Sequence, residues 1–170
     1  MVRSRNMVGA FLEIDDKILM LYRSADKALE PSKWTGIGGH IDASEINDPL
    51  AACLREIQEE SGIEKAKISS LELRYITINN KHGEVRIAYY FFGRITVEPK
   101  FVADTREGHL QWVAKSEILS YDLSNPIRII LEHWLHNSDN GGDGSNNGCP
   151  GDIHVCIINN ETGQVNLFPI

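Results

Sequence analysis

Residues 48–62, "DPLAACLREIQEESG", carry helix signals at both ends, and the rest of the chain has to be fitted around them. Asp48 is a good N-cap, Pro49 suits the first helical position and Gly62 the C-terminal stop. Between them Leu50, Cys53, Leu54 and Ile57 recur at helical spacing, which predicts a helix over 48–61. On either side the pattern is that of strands. Residues 7–14, "MVGAFLEI", and 17–23, "KILMLYR", are apolar runs parted by Asp15 and Asp16, an expected hairpin. Residues 68–78 and 84–97 are longer runs joined by "NNKHG", whose Asn and Gly favour a turn, so they should pair antiparallel. "LQWVA" at 110–114 reads as a short strand, and 126–136 as a second helix that starts at Pro126 with Asn125 as its cap. Antiparallel pairs interleaved with helices in this order imply an α/β fold with a mixed sheet covered by helices, rather than a doubly wound parallel one.

The end of the chain changes character. Residues 137–152 are dominated by Gly, Asn, Asp and Ser, a linker composition without the apolar area needed to order itself. A calcium loop is the sharper reading of these acids and amides, but the ligand spacing and the closing Glu are missing. Beyond it, "IHVCII" and "QVNLFPI" flank "NNETG" as a terminal hairpin, too small to be stable alone. It must pack on the main domain or on a second subunit, and domain exchange or edge pairing into a homodimer is the oligomeric hypothesis. The domain organisation expected is a principal domain over 1–136, a linker over 137–152 and a hairpin extension over 153–170. A chain of 170 residues has material for one full core.

Charge narrows the function. A formal net charge of −7 argues against a nucleic-acid polymer as partner, since that binding needs Lys and Arg to neutralise phosphates. A small anionic substrate is compatible if a cation neutralises it. Cys53, Cys149 and Cys156 lack CxxC spacing and suggest neither a disulfide framework nor a zinc knuckle, so a reducing cytoplasm is expected. No apolar run is long enough to span a membrane, and "MVRSRNM" lacks a secretory core.

Within the helix, Glu56, Glu59 and Glu60 stand at i, i+3 and i+4, three carboxylates on one face opposite the apolar stripe. Such a face repels itself, and a hard cation such as Mg2+ would relieve it. A solvated acidic surface is the plainer reading of an EXXEE pattern. Here Arg55 stands beside the first acid, where it can pair with a carboxylate, and Gly38 and Gly39 upstream permit a turn that approaches a ligand closely. The stretch "GGHIDASEINDPLAACLREIQEESGI" closely resembles the Nudix box, GX5EX7REUXEEXGU with U aliphatic. Gly39, Glu45, Arg55, Glu56, Ile57, Glu59, Glu60, Gly62 and Ile63 fill its fixed positions. One departure stands out: nine residues, not seven, separate Glu45 from Arg55, and the insertion falls in "INDP" before the helix cap.

This resemblance extends over about residues 5–136. It implies the Nudix α/β/α sandwich and a hydrolase of nucleoside diphosphate derivatives that uses Mg2+ or Mn2+ and an attacking water. It further implies Glu56 and Glu60 as main metal ligands, Glu59 as a further ligand or base, Arg55 as the residue that fixes them, and the Gly38 carbonyl as another ligand. A loop acid before the Trp112 strand completes such sites, with Glu107 preferred over Asp104. Arg23 and His40 resemble phosphate-contacting positions. "KWTGIGGH" is most similar to the corresponding segment of MutT-like enzymes acting on oxidised purine nucleoside triphosphates, with Thr35 where those carry Asn. Asn125-Pro126-Ile127 resembles a base-contacting segment of some members, although Asn125 also serves as a helix cap. Tyr75, Tyr89 and Phe91 are aromatic candidates for stacking or for the core. The proline of many ADP-ribose hydrolases is absent at Ile78 and Asn79, as is the "SQPWPFPQS" segment of NADH hydrolases. The expectation is therefore a cytoplasmic triphosphate pyrophosphohydrolase. Its rivals are a Nudix hydrolase of ADP-ribose, a nucleotide sugar or a dinucleoside polyphosphate, and a non-catalytic nucleotide sensor.

Overall fold

The computed structural model describes residues 3–27, 31–81, 83–96, 101, 103–139 and 152–170. Strands β1 (Arg3–Ile14) and β2 (Lys17–Arg23) form the first hairpin, and β3 (Trp34–Thr35) is a short strand ahead of the glycine loop. Helix α1 (Pro49–Ser61) follows, then the long hairpin β4 (Ile68–Lys81) and β5 (Glu84–Ile95), β6 (Gly108–Ala114) and helix α2 (Asn125–Asp139). The terminal hairpin is β7 (His154–Ile158) and β8 (Val165–Pro169). Among the described residues the strands join one sheet in the order β3-β2-β1-β5-β4-β7-β8, with β6 on the other side of β2. The sheet is mixed: β1 runs parallel to β5, and β4 parallel to β7, while the hairpins are antiparallel.

Alternation along the strands divides the core into two layers. Val8, Ala10, Leu12, Leu19 and Leu21 face α1, where they pack with Ala52, Cys53 and Ile57. Phe11, Ile18 and Met20 face the opposite way, onto Ile127, Ile130 and Leu131 of α2. This is the expected α/β/α sandwich. No helix among the described residues is long and apolar enough to cross a membrane. Cys53 and Cys156 are buried free thiols, pushed up to about 12 and about 11 by burial.

Two local expectations need correction. Helix α1 turns its buried stripe onto Ala52, Cys53, Ile57, Glu60 and Ser61, leaving Leu50 41% exposed. Helix α2 begins one residue earlier than expected: Arg128 N–H donates to the Ser124 carbonyl, so Ser124 occupies the cap position and Asn125 is inside the first turn. Tyr75 and Phe91 are core residues, Tyr75 bonded to His133 Nδ1 at 2.8 Å. The terminal hairpin settles on its own chain, where β7 lies along β4 from Tyr75↔His154 to Asn79↔Ile158. The expected linker over 137–152 falls mostly outside the described residues.

What positions the site is a fork in the sheet. β2 stays with β1 only over Leu12–Ile14 and then diverges to pair with β3. The edge of β1 left open is bonded by the glycine loop: Val8 N–H to the Gly39 carbonyl at 2.9 Å, and Ala10 N–H to the Ile37 carbonyl at 2.7 Å. So close is the approach that a Cβ on Gly38 would lie 2.1 Å from the Val8 carbonyl oxygen.

Candidate active site

Helix α1 delivers the acids. Asp48 caps it by accepting from Ala51 N–H at 3.0 Å, and Gly62, at φ 74°, closes it in the left-handed conformation. With both ends set, Glu56, Glu59 and Glu60 are presented together toward the glycine loop and one cleft, but they are unequally buried. Glu60 is buried at 8% exposure, and its Oε2 accepts the Gly38 N–H at 3.0 Å. Glu59 is the outermost, its side chain 59% exposed. Glu56 lies between them, against Gly39: a Cβ there would stand 2.5 Å from Glu56 Oε1, so the carboxylate fills the space a side chain would need.

Arg55 ties these groups together. Its Nε and Nη2 reach Glu45 Oε1 and Oε2, both at 2.9 Å; Nη1 reaches Glu56 at 2.8 Å and Glu59 at 3.2 Å; Nη2 also donates to the His40 carbonyl at 3.0 Å. Every N–H of the guanidinium has an acceptor, an arrangement a lysine could not reproduce. The insertion in "INDP" therefore leaves the Glu45–Arg55 fork intact. The extra residues are taken up between the 3-10 turn Ala43–Glu45 and the α1 cap.

Burial, first of all, pushes the Glu60 carboxyl up to about 7, against the Gly38 N–H and with the charges of Glu56 and Glu107 adding to the rise. Burial likewise raises Glu56, opposed by its bond to Arg55. The same bond to Glu45 that lowers the Glu45 carboxyl raises Arg55. Across the cleft Glu107 bridges Arg23 Nη2 at 3.3 Å and Lys27 Nζ at 3.0 Å. Asp104, the other loop acid, is exposed and holds His109 Nδ1 at 2.8 Å. His40 meets Arg5 Nη1 through Nε2 at 3.2 Å.

Arg23, Thr35, Gly38, His40, Arg55, Glu56, Glu59, Glu60, Glu107 and Asn125 all line one cleft of about 1130 Å³. These candidates are thus brought to one place, whereas the aromatic candidates Tyr75, Tyr89 and Phe91 do not line the cleft. Several residues escaped that reading: Lys27, paired with the wall residue Glu107, and on the sheet side of the wall Tyr90, Thr77, Asn79, Arg86 and Asn160. The alternation of β4 and β5 carried a signal, since Thr77 and Asn79 pair with Ala88 and Arg86 on one face. Which face is the cleft depends on α2, which strand periodicity does not encode. Among the described residues no group of three His, Cys, Asp or Glu side chains stands close enough to hold a metal ion as placed. Arg55 draws Glu56 and Glu59 to itself, and Gly38 holds Glu60.

The result is an α/β/α sandwich whose carboxylate-bearing helix abuts a glycine loop stitched to a forked sheet. The NUDIX domain model matches residues 3–134, and the chain belongs to the Nudix family. It is a Nudix hydrolase acting on pyrophosphate bonds. Similar solved structures include a MutT protein from Bacillus halodurans, with TM-score 0.66 and 20% identity over 97% of each chain. A MutT NUDIX hydrolase from Burkholderia pseudomallei is 28% identical over 76% of this chain and 97% of its own, with TM-score 0.60. A C. elegans Ap4A hydrolase, 16% identical, covers 82% of this chain and 100% of its own, with TM-score 0.60. Nudix hydrolases generally use divalent metal ions.

Proposed function

We propose that this chain is a metal-dependent pyrophosphohydrolase that cleaves a nucleoside triphosphate, with an oxidised purine such as 8-oxo-dGTP as its base, to the monophosphate and pyrophosphate. The observation that carries the reading is the contact between Gly39 and Glu56, where the loop gives up a side chain to seat a carboxylate. Beside it a buried Glu60 is held far above the usual carboxylate range by burial and by neighbouring acids, a concentration of negative charge that a cation would relieve. The donors are all oxygens, which suits Mg2+ or Mn2+. Glu56 and Glu60 are the proposed ligands, joined by Glu59, the Gly38 carbonyl and, from the opposite wall, Glu107. A divalent ion bound there supplies charge neutralisation at the phosphates and a more acidic water.

The chain's own groups do the rest. Arg55 holds Glu56 and Glu59 in place while Glu45 holds Arg55. Glu59, the most exposed of the three helix acids, takes the proton of the attacking water. Arg23, Lys27 and His40 lie where phosphate oxygens of the substrate would be held, and would exchange their present partners for them. Thr35 and Asn125 face the nucleoside. Because Ser124 already occupies the α2 cap, the Asn125 side chain is left to the cleft. In this reading residues 1–136 are the hydrolase domain, 137–152 a linker and 153–170 an extension, in a cytoplasmic protein able to pair with a second copy through β8.

A panel of triphosphates, oxidised triphosphates, ADP-ribose, a nucleotide sugar and dinucleoside polyphosphates, each incubated with Mg2+, tests the reading. Pyrophosphate release from a triphosphate is expected. Turnover confined to ADP-ribose, the nucleotide sugar or the dinucleoside polyphosphates would replace the substrate, and tight binding without any turnover would make the chain a sensor.

A further inference from the structure

The terminal hairpin lies beyond residue 134, where the match to the NUDIX domain ends, yet it reaches the substrate cleft. Asn160, in the turn after β7, donates from Nδ2 to the Asn80 carbonyl at 2.7 Å and lines the cleft beside Asn79, Lys81 and Arg86. That turn is fixed from within: Asn159 Oδ1 accepts the N–H groups of Glu161 and Thr162, and Gly163 sits at φ 71°. Asn160 is thereby a placed wall residue rather than a loose tip.

The neighbouring Asn79 has an unmet requirement. Its Oδ1 is buried and has no hydrogen-bond partner among the described residues. A buried acceptor left unpaired is costly, and a ligand N–H in the cleft that Asn79 lines would satisfy it once the side chain turns to meet it. Arg86, directly opposite Asn79 in the β4–β5 register, supplies donors at the same place, with Glu84 on its Nε at 2.8 Å. This end of the cleft therefore offers an acceptor next to donors. It lies three strand spacings from the glycine loop, across β1, β5 and β4, or roughly 14 Å. A phosphate held at the loop does not reach it, and the nucleoside attached to that phosphate does. The floor between consists of Gly9, Ala88 and Thr77, low enough for a planar ring, with Tyr90 over Gly9.

We infer that Asn79 and Arg86, walled by Asn160 of the terminal hairpin, read the hydrogen-bonding edge of the nucleobase and select one with an N–H donor beside a carbonyl acceptor, as in guanine. The inference rests on the triphosphate reading and makes residues 153–170 a specificity element of the same site. Steady-state kinetics of the full chain on GTP and on base-free ribose 5′-triphosphate test it. Asn79→Leu should raise KM for GTP about tenfold with kcat held, so that the ratio of the two KM values rises by the same factor. Asn160→Ala should shift that ratio in the same direction. A ratio unmoved by both variants, or a parallel loss on both substrates, would overturn the inference. Should the wild-type chain cleave no triphosphate at all, the triphosphate reading falls by itself. Calorimetry with GMP and ribose 5-phosphate then reads the subsite: selective weakening of GMP by about tenfold in Asn79→Leu supports it, and unchanged affinity overturns it.

Discussion

At the residue scale the site depends on what glycine and arginine allow. Gly39 leaves room for the Glu56 carboxylate, so Gly39→Ala should push that flexible side chain aside without unfolding anything. The expected result is a loss of kcat on the order of 10²-fold, with the melting temperature moved by no more than about 2 °C. Equal activity in Gly39→Ala would mean that Glu56 is not where it acts. Arg55→Lys keeps the charge but loses the fork to Glu45, and with it the register of Glu56 and Glu59; kcat should fall by a similar factor. Glu45→Gln tests the same link from the other side, with a smaller loss expected because Arg55 retains its other acceptors. These residues were legible in the sequence because the box places them at fixed spacing on one helix and one loop. Their unequal burial was not. That Glu60 is inside and Glu59 outside follows from how α1 lies against β1, a long-range contact absent from local spacing.

At the element scale, helix α1 was legible because both of its ends are local chemistry, Asp48 at one and Gly62 at the other. Gly62→Ala, at φ 74°, should cost about 1 to 2 kcal/mol and lower the melting temperature by about 3 to 8 °C. Helix α2 was displaced by one residue because Asn125 and Ser124 are both good caps, and only the bond from Arg128 distinguishes them. The parallel register of β7 on β4 could not be read at all, since nothing local specifies a partner 80 residues away. That junction also has a pH dependence. His133 of α2 meets the Tyr75 hydroxyl of β4 at 2.8 Å and lies 4.6 Å, ring to ring, from His154 of β7, with Asn137 and His136 on its own helix. Burial, then the charges of His154 and His136, hold His133 below its ordinary 6.5. A His depressed in the folded state binds its proton less readily there than when released. Docking of the hairpin is therefore fully stable above about pH 6.5 and weakens as pH falls below it. Hydrogen exchange at the Val155–Ile157 amides, corrected for intrinsic rates, should show more frequent opening at pH 5.5 than at 7.5; equal protection would contradict this.

For the molecule as a whole, the α/β/α sandwich and the hydrolase class were legible from the strand and helix pattern and the box. The substrate was not, because it is decided by walls that come from five places in the chain: β3, the β4–β5 face, the Glu107 loop, the start of α2 and the turn after β7. A chain of net charge −7 that binds a polyphosphate needs a cation at the site. Chelation should accordingly abolish turnover, and Mg2+ or Mn2+ restore it. The most direct measurement of the central claim is the rate of pyrophosphate release from a nucleoside triphosphate with and without Mg2+, for the wild-type chain and for Glu56→Gln at equal folded concentration. The account predicts Mg2+-dependent release that falls by at least about 10²-fold in the variant. Release of equal rate in the variant, or release that persists after chelation, would contradict it.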